Sequence, residues 1–143
     1  MGNNYKVSTE IRVRFSDTDA MGHVNNACFF SYMEEGRVAY FSKLLPETDL
    51  KNSFRAFPFI LADIQCAFKS PLFCGETVVV TLSVTEIRTR SFVMEYELTE
   101  KKTGRTVGTG KSVQVMYDYQ SQKTYPVPGH IRKLIEEIEG KTV

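Results

Sequence analysis

The residues with the clearest capacity for chemistry lie close together in the segment 17–37, which reads DTDAMGHVNNACFFSYMEEGR. Asp17 and Asp19 place two carboxylates at the end of an alternating stretch that is typical of a half-buried strand. Asn25 or Asn26 can cap a helix, because a short side-chain amide accepts hydrogen bonds from backbone N–H groups that lack a helical partner. A helix that begins near Asn26 would therefore direct free N–H donors toward the acidic turn.

An acid beside a helix start suits reactions at a carbonyl group. The free N–H groups can stabilise negative charge on the carbonyl oxygen, while a nearby carboxylate attacks the carbon or activates water. By spacing alone, a structural role for Asp19 is favoured, since an acid at a helix start gains about 0.3 to 1 kcal/mol from the helix dipole. Gly22 supplies a flexible turn between the acids and the helix.

Strand-like and helical patterns surround this segment. Alternation predicts a first strand over Ile11–Phe15 with its odd positions buried, and helical periodicity predicts one long helix over 27–45 that Pro46 ends. Segment 45–57 is predicted to be a loop. The remaining predicted elements are strands over 59–69, 77–88, 92–100 and 105–119, a hairpin turn at 102–104 and a short terminal helix over 130–139.

The long predicted helix contains a glycine, Gly36, at a cost of about 1 kcal/mol relative to alanine. We interpret this glycine as a point of close packing against a sheet. A sheet wrapped around one helix also has edge strands that must be covered. We therefore expect a second copy of the chain to pair with this sheet in a homodimer, and a dimer of dimers is a further possibility.

Composition favours one globular domain over residues 1–143, with 42% hydrophobic and 24% charged residues. The formal charge is +1, which predicts neither nucleic-acid binding nor attraction to an anionic membrane. Three cysteines, Cys28, Cys66 and Cys74, form no C-x-x-C spacing, which disfavours a disulfide framework or a zinc cage and favours the cytoplasm. No apolar run approaches the roughly 18 residues of a membrane span.

The segment 17–37 resembles the signature of the 4-hydroxybenzoyl-CoA thioesterase family of hotdog-fold proteins. In that signature a D-x-D-x-x-G turn precedes residues rich in Asn and Tyr, an aromatic position and a spaced E-x-x-R. The segment Ile87–Phe92, IRTRSF, resembles the basic turn that these enzymes use on CoA phosphates. The resemblance covers nearly the whole chain and implies an α+β hotdog fold, in which an antiparallel sheet wraps around one long central helix.

The resemblance also implies an activity, the hydrolysis of an acyl-CoA thioester to the free acid and CoA, with neither a cofactor nor a metal. Asp19, the second acid of D-x-D, would be the catalytic carboxylate, and Asp17 would support it. The backbone N–H of Asn26 would bind the oxyanion, and Gly22 would let the thioester approach. Whether Asp19 attacks the carbonyl or activates water stays open, as do the acyl group and the choice between CoA and acyl carrier protein.

Further residues are expected to contact the substrate at the helix start, on the helix and at the basic turn. Arginine forks match phosphate oxygens in pairs, although ordinary surface charge also explains Arg88 and Arg90. For Glu34, the alternatives to substrate contact are an ion pair with Arg37 and a place in the dimer interface. The HVNN sequence at 23–26 resembles relatives that act on fatty or other aliphatic acyl groups. The expected substrate-binding residues are Gly22, Val24, Asn25, Glu34, Arg88, Arg90 and Ser91.

His23 allows three interpretations. It can be a hydrogen-bonded residue at the helix entrance, which we favour. It can handle a proton, because histidine titrates near neutrality, although a thiolate leaving group has little need of an acid. Metal binding is the weakest of the three, since only Asp17 and Asp19 accompany it.

Two other functions fit the same resemblance. A hotdog dehydratase or hydratase acting on acyl thioesters needs a histidine and an acid paired across the site, and His23 is available. A non-catalytic acyl-CoA-binding module is the third hypothesis, because a fold does not fix a function.

Overall fold

The structure, a computed structural model, describes residues 4–51 and 57–143. Six antiparallel strands form one sheet in the order β1-β3-β4-β5-β2, and β6 pairs with β5. The predicted loop over 45–57 lies partly outside the described residues. The elements are β1 (Val7–Arg12), α1 (Asn26–Leu44), β2 (Phe59–Phe68), β3 (Thr77–Ile87), β4 (Ser91–Glu100), β5 (Thr106–Asp118), β6 (Lys123–Thr124) and α2 (Gly129–Glu139).

The long helix α1 crosses the concave face of the sheet, which is the hotdog arrangement that the sequence predicted. Glycines allow this close approach. A Cβ atom on Gly36 would lie 2.9 Å from Val80 Cγ1, one on Gly108 would lie 3.2 Å from the Phe29 ring, and one on Gly110 would collide with the Cε methyl of Met33. The predicted role of Gly36 in packing is therefore confirmed.

The first strand was predicted wrongly. The odd positions of Ile11–Phe15 were expected to be buried, and Val13 is indeed 1% exposed, but Phe15 is 82% exposed. The chain leaves the sheet after Arg12 and turns through a short 3-10 helix at Phe15–Asp17. That turn is closed by the Asp17 side chain, which accepts a hydrogen bond from Arg14 N–H at 3.0 Å. The alternation of apolar and polar residues gives no signal for this hydrogen bond between backbone and side chain.

The terminal helix α2 is fastened to the core by a buried carboxylate. Glu139 accepts hydrogen bonds from the Tyr40 hydroxyl and, at 3.0 Å, from Val84 N–H. Burial and this bond together raise the pKa of Tyr40. Ile131 and Ile135 are buried on the inner face of α2.

Strand β2 forms one edge of the sheet. It pairs with β5 on one side, and among residues 4–51 and 57–143 its other side has no strand partner. Several of its apolar side chains are exposed: Ile60 at 38%, Leu61 at 40% and Phe68 at 42%. Neither helix of the described chain has the length and apolar character needed to cross a membrane.

Candidate active site

The acidic turn between the first strand and α1 is a small closed loop. A bridge between Thr18 and Val24 closes its base, and Asp19 N–H donates to His23 O at 2.9 Å. Gly22 has a φ of +87°, a conformation that a residue with a Cβ adopts only at a cost, so the predicted turn role of Gly22 is met here. The loop therefore holds Asp19 and His23 on a defined backbone.

Asp17 is buried, 2% exposed, and it connects the strand end to the helix. Its Oδ1 accepts from Arg14 Nη2 at 2.9 Å, and its Oδ2 accepts from the Tyr32 hydroxyl at 2.8 Å. Its backbone oxygen accepts from Asn25 N–H at 2.9 Å. These bonds hold the acidic turn against the start of α1, as either a structural turn carboxylate or a support for Asp19 would.

The same contacts set the ionisation of Asp17. Burial by itself would raise the pKa of this carboxyl, but hydrogen bonds from the Arg14 backbone, the Arg14 guanidinium and the Tyr32 hydroxyl outweigh it. The pKa of Asp17 therefore lies below its ordinary value. Burial and the bond to Asp17 raise the pKa of Tyr32 in turn.

We expect Asp17→Asn to lower the free energy of unfolding at pH 7 by about 1.5 to 3 kcal/mol, because a charge-assisted buried hydrogen bond is lost. A carboxyl whose pKa is lowered on folding stabilises the protein above its unfolded pKa of about 3.9. That contribution disappears as the pH falls through the folded pKa. Urea unfolding between pH 7 and acid should show a flatter profile for the variant than for wild type; parallel profiles would contradict this prediction.

Helix α1 begins with an unused donor. Asn25 is its cap, and Asn25 Oδ1 accepts from Ala27 N–H at 2.9 Å. Cys28 N–H donates to Asn25 O at 2.9 Å. The N–H of Asn26 finds no acceptor among residues 4–51 and 57–143. Asn26 therefore offers the free backbone donor that an oxyanion needs.

A cleft of about 280 Å³ opens beside this donor. One wall comes from the acidic turn and the start of α1, and the other comes from the end of β2 and the residues that follow it. The first wall consists of His23, Val24, Asn26 and Phe29, and the second consists of Phe68, Lys69, Ser70 and Pro71. The cleft thus combines an apolar side at the two phenylalanines with polar groups at the helix start.

Asp19 lies next to a residue that lines this cleft. Its side chain is 32% exposed, and its Oδ1 lies 4.0 Å from Nδ1 of His23, which lines the cleft. The same Oδ1 accepts from Met21 N–H at 2.9 Å. Asp19 itself does not line the cleft, whereas His23 does.

His23 therefore lines the cleft, and the structural and proton-handling interpretations both stay open. The metal interpretation gains no support from the geometry, because the Asp17 carboxylate is engaged by Arg14 and Tyr32. Within the described chain, no three His, Cys, Asp or Glu side chains cluster at metal-binding distance.

Other expected residues lie elsewhere within one chain. Arg88 and Arg90 lie in the turn after β3, and Ser91 begins β4. The cleft lies near the residues that precede β3, and the eleven residues of β3 span roughly 35 Å. Arg88 pairs with Glu86 at 3.0 Å, and Arg90 Nη1 donates to Thr124 O at 2.9 Å. Within one chain these arginines and the cleft are at opposite ends of the sheet.

Glu34 also lies outside the cleft of its own chain. Its Oε2 is 4.0 Å from Nη2 of Arg37, and its side chain is 71% exposed while that of Arg37 is 9% exposed. Arg37 Nη1 donates to the Tyr96 hydroxyl at 3.4 Å. The in-chain ion pair anticipated from the sequence is thus present at the limit of contact.

The second wall of the cleft was not anticipated from the sequence. Ser70 and Pro71 gave only a turn signal, and Lys69 was the end of a predicted strand. A link between the walls explains their role: Val24 N–H donates to Leu72 O at 2.8 Å. No local pattern in the sequence shows that residues so far apart meet.

The fold is that of the hotdog thioesterases. The sequence profile of the Thioesterase-like superfamily matches residues 13–135, so the chain belongs to that superfamily, as the DTDAMG segment predicted.

Three thioesterases match this chain over 92% or more of its length. A thioesterase from Thermus thermophilus, crystallised with coenzyme A and Zn, is 29% identical and superposes with a TM-score of 0.85 over 99% of this chain and 100% of that one. A putative thioesterase from Pseudomonas aeruginosa is 30% identical, with a TM-score of 0.78 over 92% and 99% of the two chains. The long-chain acyl-CoA thioesterase FadM of Escherichia coli is 23% identical over 92% of this chain and 98% of its own.

Proposed function

We propose that the protein is an acyl-CoA thioesterase that cleaves its substrate in the cleft beside Asn26. The observation that carries the proposal is that Asn26, whose N–H has no acceptor among residues 4–51 and 57–143, lines that cleft, with Asp19 and His23 on the adjoining turn. The thioester carbonyl oxygen would accept from Asn26 N–H, and the acyl group would lie against Phe29 and Phe68. Aliphatic acyl groups suit such an apolar lining.

The carbonyl carbon then becomes open to attack. In one route the Asp19 carboxylate adds to it and the CoA thiolate departs, which leaves a mixed anhydride that water then hydrolyses to the free acid and the restored carboxylate. In the other, Asp19 removes a proton from water, the water oxygen adds to the carbonyl carbon, and the CoA thiolate departs as the free acid forms. In both routes the Asn26 N–H stabilises the charge that develops on oxygen. A modest rotation of the Asp19 side chain past His23 would bring the carboxylate into the cleft.

We further propose that a second copy of the chain completes the site. Strand β2 is ten residues long, and one of its edges lacks a partner within the described chain. Its exposed apolar side chains Ile60, Leu61 and Phe68 are distributed along this unpaired strand, and soluble proteins keep such edges covered. Antiparallel pairing of two β2 strands about a twofold axis would cover this edge and continue the sheet.

Such pairing would also bring the basic turn to the cleft. In one chain the turn with Arg88 and Arg90 lies at the Phe59 end of β2, and the cleft lies at the Phe68 end. A twofold axis through β2 reverses the direction of the second copy. The Arg88 turn of the second copy therefore comes to the cleft end of the first. Adjacent strands are about 4.8 Å apart, and an extended CoA tail can cross the few strands between them. The arginines would then bind CoA phosphates in pairs.

A panel of acyl-CoA substrates tests this function. Thiol release, followed with a thiol reagent, is expected across aliphatic acyl-CoAs. Loss of enoyl absorbance without thiol release would instead indicate a dehydratase or hydratase, and binding without either change would indicate a non-catalytic module. Either of these results would contradict the proposal.

A further inference from the structure

The Ser70–Pro71 wall of the cleft is held by a residue from a distant hairpin. Arg105 directly precedes β5, and its guanidinium reaches back across the sheet edge. Its Nη2 donates to Pro71 O at 2.8 Å, and its Nε donates to Ser70 Oγ at 3.2 Å. Two of the residues that line the second wall are therefore bound by one side chain.

The same guanidinium closes the loop that follows the wall. Arg105 Nη2 lies 3.3 Å from Glu76 Oε1, and that oxygen also accepts from Phe73 N–H at 2.8 Å. Residue Leu72, inside this loop, accepts the Val24 N–H at 2.8 Å. The Arg105 contacts are thus linked to the first wall through a single further hydrogen bond.

The backbone of Arg105 is also held in place. Its backbone oxygen accepts from Glu100 N–H at 2.8 Å, and its side chain is 34% exposed. Arginine suits this task because its planar fork presents several donors in a fixed geometry, whereas a lysine ammonium is a compact point charge on a flexible stem. The identity of the residue therefore matters as well as its charge.

We propose that Arg105 is a positioning residue of the thioesterase site, which sets the separation between the Ser70–Pro71 wall and the start of α1. The inference rests on the proposed function. With the guanidinium in place, a thioester in the cleft is pressed against Asn26 N–H in the orientation needed for attack. Without it, the wall relaxes and the carbonyl loses alignment with the helix start.

Steady-state kinetics of Arg105→Gln, with Lys102→Ala as the matched control from the same hairpin, test this role. Misplacement by about 1 Å can cost about 100-fold in rate, so we expect kcat of Arg105→Gln to fall about 10-fold to 100-fold. KM should change little, because alignment acts in the transition state. Arg105→Lys should recover only part of the loss, and Lys102→Ala should match wild type.

A smaller substitution keeps the test independent of folding. Ser70→Ala removes one acceptor of the Arg105 fork, and its loss in kcat should be less than additive with that of Arg105→Gln. A folded Arg105→Gln whose kcat and KM stay within about twofold of wild type would overturn the inference. An equal loss in Lys102→Ala would do the same.

Hydrogen exchange separates this inference from the proposed function. If wild type cleaves no acyl-CoA, the proposed function fails, and the positioning role fails with it. If wild type is active, amides of residues 69–76 and Val24 should exchange faster in Arg105→Gln than in wild type or Lys102→Ala. Unchanged exchange in this segment would overturn the role of Arg105 while leaving the thioesterase assignment intact.

Discussion

Asp19→Asn is expected to lower kcat for acyl-CoA hydrolysis by about 10²-fold to 10⁴-fold, the range that a positioned acid or base contributes. Asparagine has nearly the same shape and can still accept from Met21 N–H, a bond of 2.9 Å in the native turn. It can neither attack a carbonyl as a carboxylate nor remove a proton from water. Thiol release under saturating substrate measures the effect, and circular dichroism should show an unchanged fold.

Asp49→Asn is the matched control for this substitution. Asp49 accepts from Lys51 N–H at 2.9 Å, so it makes the same kind of turn bond two residues along the chain, but it follows the end of α1, the opposite end of the helix from the cleft. Its asparagine variant should hydrolyse substrate at the wild-type rate. Equal turnover by Asp19→Asn and wild type would reject Asp19 as the catalytic carboxylate.

Leu61→Lys is expected to produce a folded monomer without activity. Leu61 is 40% exposed in the single chain, so a lysine there costs the isolated subunit little. In the proposed dimer it would place a charge at the paired edge of β2, and edge strands use lysine to prevent such pairing. Light scattering should report a halved mass, and thiol release should be lost because the Arg88 turn of the second copy is absent.

Ser8→Lys supplies the comparison on the opposite edge of the sheet. Ser8 lies on β1 and is exposed, so a lysine there should change neither the mass nor the turnover. A Leu61→Lys protein that is monomeric and fully active would show that one chain carries the whole site. The proposed role of the second copy would then be wrong.

Much of the fold could be predicted because its signals are local. Asn25 followed by an apolar periodic stretch predicted the start of α1, and Pro46 predicted its end, each to within a residue. The strands β2 to β5 were also found to within a residue or two, since each is a long β-rich run between turn signals. Gly36 identified the place where the helix touches the sheet, because a glycine inside a helix needs a packing reason.

The site was predictable only in part. The D-x-D turn, His23 and Asn26 lie in one segment, and the structure keeps them together beside the cleft. The second wall at Ser70–Pro71 and its contact with Arg105 depend on long-range pairing of strands, which leaves no local trace. Phe15 was placed in the core by alternation, yet the Arg14 and Asp17 contacts turn the chain out of the sheet before it.

The most direct test of the site is a crystal structure with a non-hydrolysable acyl-CoA analogue bound. The carbonyl oxygen, or the group that replaces it, should lie about 2.7 to 3.1 Å from the backbone nitrogen of Asn26. A carboxylate oxygen of Asp19 should then lie about 3 to 3.5 Å from the carbonyl carbon, or one water molecule away. An analogue whose carbonyl binds away from the start of α1, with Asp19 still facing solvent, would contradict the account.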